Sequence, residues 1–200
     1  MHTYRTLPRL EPGAVVAARS LLTVAGVPVS LPDPDRLTHL QVRRFAGCPV
    51  CNLHLRSFAR RHDEIVAAGI REVVVFHSPP DELRRHADGL PFTLVADPEK
   101  RLYAEFGVES GARALLAPRV WLPIVRAVSV SLWAILRGQG RLPATNPHGG
   151  RLGLPADFLI ASTGQIIACK YGEHADDQWS VDELLSLART SPALAGHAAR

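Results

Sequence analysis

Apolar and polar positions along this chain change their period from segment to segment, and each change marks an element. Leu21-Leu22-Thr23-Val24 and Val27-Pro28-Val29-Ser30-Leu31 flank Ala25-Gly26, which predicts a hairpin. Pro32-Asp33-Pro34-Asp35 then turns the chain into an apolar-leaning run, Leu37 to Phe45, read as a strand. From Cys51 the apolar positions are Leu53, Leu55, Phe58, Ile65 and Val66, with a charged stretch from Arg60 to Glu64 between them. That spacing predicts an amphipathic helix to about Ala68, stopped by Gly69. Val73-Val74-Val75-Phe76 is apolar throughout, as a strand buried on both faces would be. Ser78-Pro79-Pro80-Asp81 carries the cap and first-turn prolines of a helix start. Phe92 to Val95 is a further strand, and Asp97-Pro98-Glu99 opens a helix through Phe106, with Gly107 after it.

Residues 110–153 differ in character. No acidic residue occurs from Ser110 to Ala156, while Arg113, Arg119, Arg126, Arg137, Arg141 and Arg151 all fall there. Leu116, Val120, Ile124 and Val128 suggest helical packing, and several glycines make the remainder loop-like. Beyond it, Ala156 to Ile160 and Gln165 to Tyr171 flank Ser162-Thr163-Gly164, a hairpin turn. Ser180-Val181-Asp182-Glu183 is a capping box, and a last helix runs to about Arg189. The order is hairpin, β, α, β, α, β, α, insertion, β, β, α. Alternation before the insertion implies parallel strands, and the closing hairpin adds antiparallel ones, so the class is α/β with a mixed central sheet. One domain is expected over 1–189, with a mainly helical or loop insertion at about 110–153 and a frayed tail at 190–200.

Composition narrows the classes. An apolar fraction of 46% suffices for a core, and 21% charged residues argue against disorder. The net charge of +4 comes from arginine, since lysine occurs only as Lys100 and Lys170. These charges are dispersed without an aromatic-interleaved basic cluster, so nucleic acid is not an expected partner. Arg19 breaks the apolar stretch near the N-terminus, and Arg119, Pro123 and Arg126 break the one from Leu115 to Leu136. Neither reaches the roughly 18 uninterrupted apolar residues of a membrane span, and a soluble, cytoplasmic protein is expected. The apolar, Arg-bearing insertion suits a lid or a self-association face, hence a homodimer, better than a membrane contact.

Cys48-Pro49-Val50-Cys51 is where chemistry enters. A strand followed by C-x-x-C and a helix puts the first thiol at a helix N-terminus, where unpaired N–H groups and the helix dipole favour a thiolate. Pro49 fits the first helical position, where no N–H is needed. Zinc would want four ligands, and no second C-x-x-C or spaced histidine pair exists, so neither metal nor any other cofactor is expected.

With these elements in order, the chain from about Leu10 to Leu187 resembles the thioredoxin fold. The N-terminal hairpin, Ala96-Asp97-Pro98 with Tyr103-x-x-Phe106-Gly107-Val108, and the central insertion resemble the alkyl hydroperoxide reductase C/thiol-specific antioxidant superfamily, in particular its peroxiredoxin-like branch. The resemblance implies a two-cysteine thiol oxidoreductase. Cys48 attacks a peroxide or a disulfide, Cys51 resolves the product to an intramolecular disulfide, and an external thiol reductant reopens it. The alternatives are a disulfide reductase and a non-catalytic binding module. Gly153 to Ile160 resembles the thioredoxin strand that begins with a cis-proline lying against the cysteines, which gives Pro155 that role. Phe45 stands three residues before Cys48, where peroxiredoxins carry Thr or Ser, and Val42 stands where thioredoxins bury an Asp. Peroxiredoxins also supply an arginine from later in the chain, for which Arg113, Arg119 and Arg126 are the candidates here.

Other residues read more plainly. The first cysteine of such a motif is expected to be the more exposed of the two. Arg43 and Arg44 point to opposite faces, so at most one can serve the thiols, and a solvated strand end suits both. Cys169 suits a small strand hydrophobe, and His54 a surface or half-buried position. His77 lies at a strand end, where α/β sheets place ligands. Glu173 to Asp177 reads as a solvated turn.

Overall fold

A computed structural model describes residues 7–86, 89–108 and 153–191, together with Val125, Val128, Ser129, Trp133, Arg137 and Gly150. The hairpin of β1 (Arg19–Leu22) and β2 (Pro28–Leu31) leads into β3 (Leu37–Val42). Then come α1 (Pro49–Arg60), α2 (His62–Ala67), β4 (Ile70–Phe76), α3 (Pro80–His86), β5 (Thr93–Ala96) and α4 (Arg101–Glu105). After the insertion follow β6 (Ala156–Ile160), β7 (Ile166–Tyr171) and α5 (Val181–Thr190). β5, β4, β3, β6 and β7 form one five-stranded sheet in that order. The β3–β4 and β4–β5 pairs are parallel; β3–β6 and β6–β7 are antiparallel. This is the expected mixed sheet of a thioredoxin-like fold, with the N-terminal hairpin as a separate two-stranded sheet.

Strand alternation divides the core in two. Leu40, Val42, Val73, Val75, Phe158 and Ile160 pack against Leu102, Tyr103 and Phe106 from α4 and its C-terminal end. Leu37, Val74, Phe76 and Leu159 point the other way, onto Leu55 and Phe58 of α1 and Leu184 and Ala188 of α5. The Ser180 capping box is formed: its hydroxyl accepts from the Glu183 N–H, and the Glu183 carboxylate accepts from the Ser180 N–H at 2.7 Å.

Three expectations about elements need correction. The strand at Leu37 ends at Val42 rather than Phe45, because Phe45 to Gly47 form the turn before the cysteines. The long helix from Cys51 is two helices, broken at Arg61, whose φ of −117° and ψ of 22° are not helical. The helix expected at Asp97 starts at Arg101, because the Asp97 carboxylate accepts from the N–H groups of Arg101 and Leu102 at 3.0 and 2.8 Å. The insertion, with Arg113, Arg119 and Arg126, lies outside the described residues apart from the isolated positions named above.

Candidate active site

Beyond β3 the chain stays tied to β4 for two residues. Arg43 donates its N–H to the Val75 carbonyl at 2.8 Å, and His77 donates to the Arg44 carbonyl at 3.3 Å. The turn that follows is pinned by Ser78, whose hydroxyl accepts the Ala46 N–H at 3.0 Å. Ser78 therefore braces the cysteine loop in addition to preceding α3. Gly47 closes the turn at φ +78°, a conformation that favours glycine, and the His86 imidazole lies 2.9 Å from where a Cβ would stand. Cys48 then occupies the N-cap of α1 with Pro49 in the first turn, as expected.

Cys48 and Cys51 are both buried, at 1% and 0% exposure. The expected exposure of Cys48 is not met, because Phe45 and Val50 pack around the pair with Leu53 beside them. The two sulfurs are hydrogen-bonded to each other and ionise as a pair. The bond from Cys48 lowers Cys51 to about 6, assisted by Arg44, its backbone N–H and Arg43, against the cost of burial. The same bond, together with burial, holds Cys48 well above the ordinary thiol value, which corrects the expectation of a thiolate at the first cysteine. The shared bond thus favours the proton on Cys48 and the negative charge on Cys51.

Arg43 and Arg44 correct the solvated reading: both are buried, at 0% and 3% exposure. Arg44 Nη1 lies 3.7 Å from Cys48 Sγ, and its guanidinium sits 5.6 Å from the centroid of the Phe45 ring. The cation beside the thiols thus comes from the motif's own lead-in. Arg43 follows the other parity, and its Nη2 donates to Asp157 Oδ1 and Gln41 Oε1, each at 2.6 Å. Behind them His39 places one ring nitrogen 3.1 Å from Asp157 Oδ1 and the other 3.2 Å from Glu72 Oε1. All five side chains are buried. Hydrogen bonds to the two carboxylates raise the His39 pKa despite its burial, which favours a proton on both ring nitrogens. The sequence reading missed this cluster. Its signal was polar residues at His39, Gln41 and Arg43, every second position of a strand flanked by apolar residues.

Tyr103 closes the other side. Its hydroxyl donates to the Arg43 carbonyl and lies 3.2 Å from that of Val75, and burial pushes its pKa well up. His77 is fully buried, with its ring edge-on to Tyr103 at 5.7 Å. Gly153, which precedes Leu154-Pro155, passes so close that a Cβ there would meet His77 Nε2 at 3.3 Å and Arg44 Cγ at 3.7 Å. Pro155 is buried directly before β6. Its peptide bond is trans, however; the cis bond among the described residues is Leu31–Pro32. The cis-proline expectation is corrected: trans is the ordinary state of an X–Pro bond, and the Pro155 carbonyl continues the β6–β7 ladder by accepting from the Gly172 N–H at 2.9 Å.

A family model described as AhpC/TSA antioxidant enzyme matches residues 55–174. The chain belongs to this AhpC/TSA family. Among solved structures, the peroxidoxin BcpB of Mycobacterium tuberculosis is similar with a TM-score of 0.64 at 18% identity, over 90% of this chain and 97% of that one. A peroxiredoxin-like protein from Aquifex aeolicus gives 0.61 at 17% identity, over 92% and 89%. A putative thiol:disulfide interchange protein DsbE from Chlorobium tepidum gives 0.51 at 16% identity, over 90% and 99%. At these identities the likeness is one of fold. No curated protein matches the sequence.

The AhpC/TSA match begins at Leu55, after both cysteines, so the thiols of this AhpC/TSA protein rest on its own geometry. His54 is half-buried, as expected. Its Nε2 donates to the Trp179 carbonyl at 2.8 Å, and burial lowers its pKa to about 3, so it is neutral. Cys169 is half-buried on β7, with its sulfur 3.4 Å from the Leu10 carbonyl. In the Glu173–Asp177 turn, Asp177 accepts the Glu173 N–H and pairs with Lys170 at 2.8 Å. Among the described residues no helix is long and apolar enough to cross a membrane.

Proposed function

We propose that this AhpC/TSA protein is a two-cysteine thiol peroxidase that reduces hydroperoxides. The observation that carries the reading is the Arg44 guanidinium, 3.7 Å from Cys48 Sγ, beside a hydrogen-bonded dithiol whose Cys51 pKa is lowered. A positioned cation stabilises both a thiolate and the charge that builds on a departing peroxide oxygen. Cys48, at the helix N-cap, is the attacking sulfur, and the Cys51 thiolate takes its proton as the substrate arrives. Cys48 bonds to one peroxide oxygen, the O–O bond breaks, and the leaving alkoxide is protonated by solvent. The resulting sulfenic acid is attacked by Cys51; an S–S bond forms and the hydroxyl leaves as water. An external dithiol, oxidised in turn, reopens the disulfide, and a reducing compartment such as the cytoplasm suits the cycle. The segment ending at Pro155 shapes the site through Gly153, which lies against Arg44.

Disulfide reduction by the same pair is the second reading. It is favoured by Phe45, which supplies no hydroxyl where peroxiredoxins have one. The deciding experiment is turnover of the purified protein with a hydroperoxide and with a disulfide substrate, side by side, under one dithiol reductant. Faster hydroperoxide turnover than a free thiol gives is expected. Turnover of the disulfide alone would replace peroxidase by reductase, and an unreactive pair would leave a binding module.

A further inference from the structure

We propose that Arg43, Asp157, His39 and Glu72 are positioning residues for the thiol pair, a buried store of counter-charge whose balance sets how readily the cysteines ionise. The inference rests on the cysteines being the working groups, as argued above, but not on which substrate they reduce.

Geometry carries it. The sheet face under α1 holds two carboxylates and two cations in a chain of contacts at 2.6 to 3.2 Å, all with fully buried side chains. With His39 doubly protonated the charges cancel. Such a cluster is a poor way to stabilise a fold, because apolar residues of the same volume usually do as well or better. Its cost calls for a use, and its near end lies at the thiols. Arg43 adjoins Arg44, which reaches the Cys48 sulfur, and the Arg43 carbonyl is clamped by Tyr103. Arg43 Nη1 also donates to the Ala156 carbonyl at 3.4 Å, while its Nε has no partner among the described residues. Arg43 also acts on Cys51, which in addition faces Cys48, Arg44 and Tyr103.

Consider what oxidation does to this balance. In the dithiol the Cys51 thiolate offsets one cation. When the disulfide forms, that negative charge disappears and the cations are in excess. Of arginine and histidine only histidine titrates near neutrality, so His39 must hold its proton less tightly. His39 faces Asp157 from β6, Glu72 from β4, the Phe58 ring from α1 and the Trp179 ring before α5; His54 feels its charge, and His62 lies 3.7 Å from Glu72.

The test needs no turnover assay, so its failure is separable from failure of the peroxidase reading. The pH midpoint of thiol alkylation is measured for the wild type and for Arg43→Gln, Arg43→Lys and Asp157→Asn. Arg43→Gln should raise the midpoint by on the order of one pH unit, and Asp157→Asn should lower it. Arg43→Lys, which keeps the charge, should stay near the wild type. Opposite signs at two partners of one pair are not produced by general loosening of the fold. Midpoints that do not move, or that all move one way, would overturn the proposal. Should the Arg43 variants not fold, the wild type suffices. By NMR of nitrogen-labelled histidine, His39 should carry protons on both ring nitrogens at neutral pH in the dithiol form, and its titration should move down on oxidation to the disulfide. The same titration in both redox states would equally overturn it.

Discussion

β3, β4 and β6 present two faces built from alternate residues of the same strands, and the faces could hardly differ more. Toward α4 they show Leu40, Val42, Val73, Val75, Phe158 and Ile160, all apolar and interlocked. Toward α1 they show His39, Gln41, Glu72 and Asp157 among Leu37, Val74 and Leu159. Both are equally dry, so solvent does not explain the difference. What differs is the neighbour: α1 carries the thiols, and α4 carries none. The first face buys the stability that lets the second hold charges where burial alone would reject them.

The comparison breaks most sharply when one face is disabled without the other. Cys48→Ser should reduce turnover to background while leaving the urea unfolding midpoint almost unchanged. Cys51→Ser should trap the sulfenic acid or a mixed disulfide on Cys48, visible by mass spectrometry. If Cys51→Ser is the dead variant and Cys48→Ser traps the intermediate, the two sulfurs exchange roles, which the ionisation of Cys51 would explain. On the opposite face Phe158→Ala removes a fully buried ring stacked edge-on to Phe106 at 5.0 Å. It should cost about 3–5 kcal/mol in urea unfolding, yet leave the alkylation midpoint of the surviving folded protein where it was. A shifted midpoint would mean that the faces are not independent.

The apolar face was the legible one. Val73 to Phe76 and the residues of β6 announce buried strands by composition alone, and the Ser180 box and C-x-x-C are local patterns whose partners sit within four residues. The polar face was not legible, because His39, Glu72 and Asp157 find one another only once three strands are in register. For the same reason Arg43 looks solvated until the Asp157 carboxylate arrives from β6, and Arg44 until the turn folds it back onto Cys48. Asp97 was misread by a smaller margin: its carboxylate caps α4 from four residues ahead of Arg101, so the helix starts later than Pro98 suggests.

A difference of medium size should appear in acid. His54 on α1 has a folded pKa of about 3 against about 6.5 when unfolded. The unfolded chain therefore binds the extra proton between these values, and stability present above about 6.5 is lost as pH falls toward 3. Above that window two effects oppose. His39, whose folded pKa is raised, loses stability as pH rises past its unfolded value, whereas Cys51, lowered to about 6, gains it over the range up to the ordinary thiol value. The urea midpoint of the wild type should fall from pH 6 to pH 4 and stay flat just above neutrality. His54→Gln should flatten the acid limb. Cys51→Ser should unmask a decline above neutrality, and a Cys51→Ser profile that remains flat there would show that His39 does not gain its proton on folding.

The smallest effect calibrates the rest. Ser180 caps α5, a helix that packs Leu184 and Ala188 onto the α1 side of the sheet. Its hydroxyl satisfies the Glu183 N–H, and Glu183 returns the bond to the Ser180 N–H. Ser180→Ala removes one half of that exchange at an exposed position and should cost about 1 kcal/mol in urea unfolding. Because no charge of the buried cluster moves, neither the alkylation midpoint nor turnover should change. If this variant shifts the thiol midpoint as much as Arg43→Gln does, then loosening of α5 is enough to disturb the cysteines. The charged face would then act by holding its helices in place, and not through its charges.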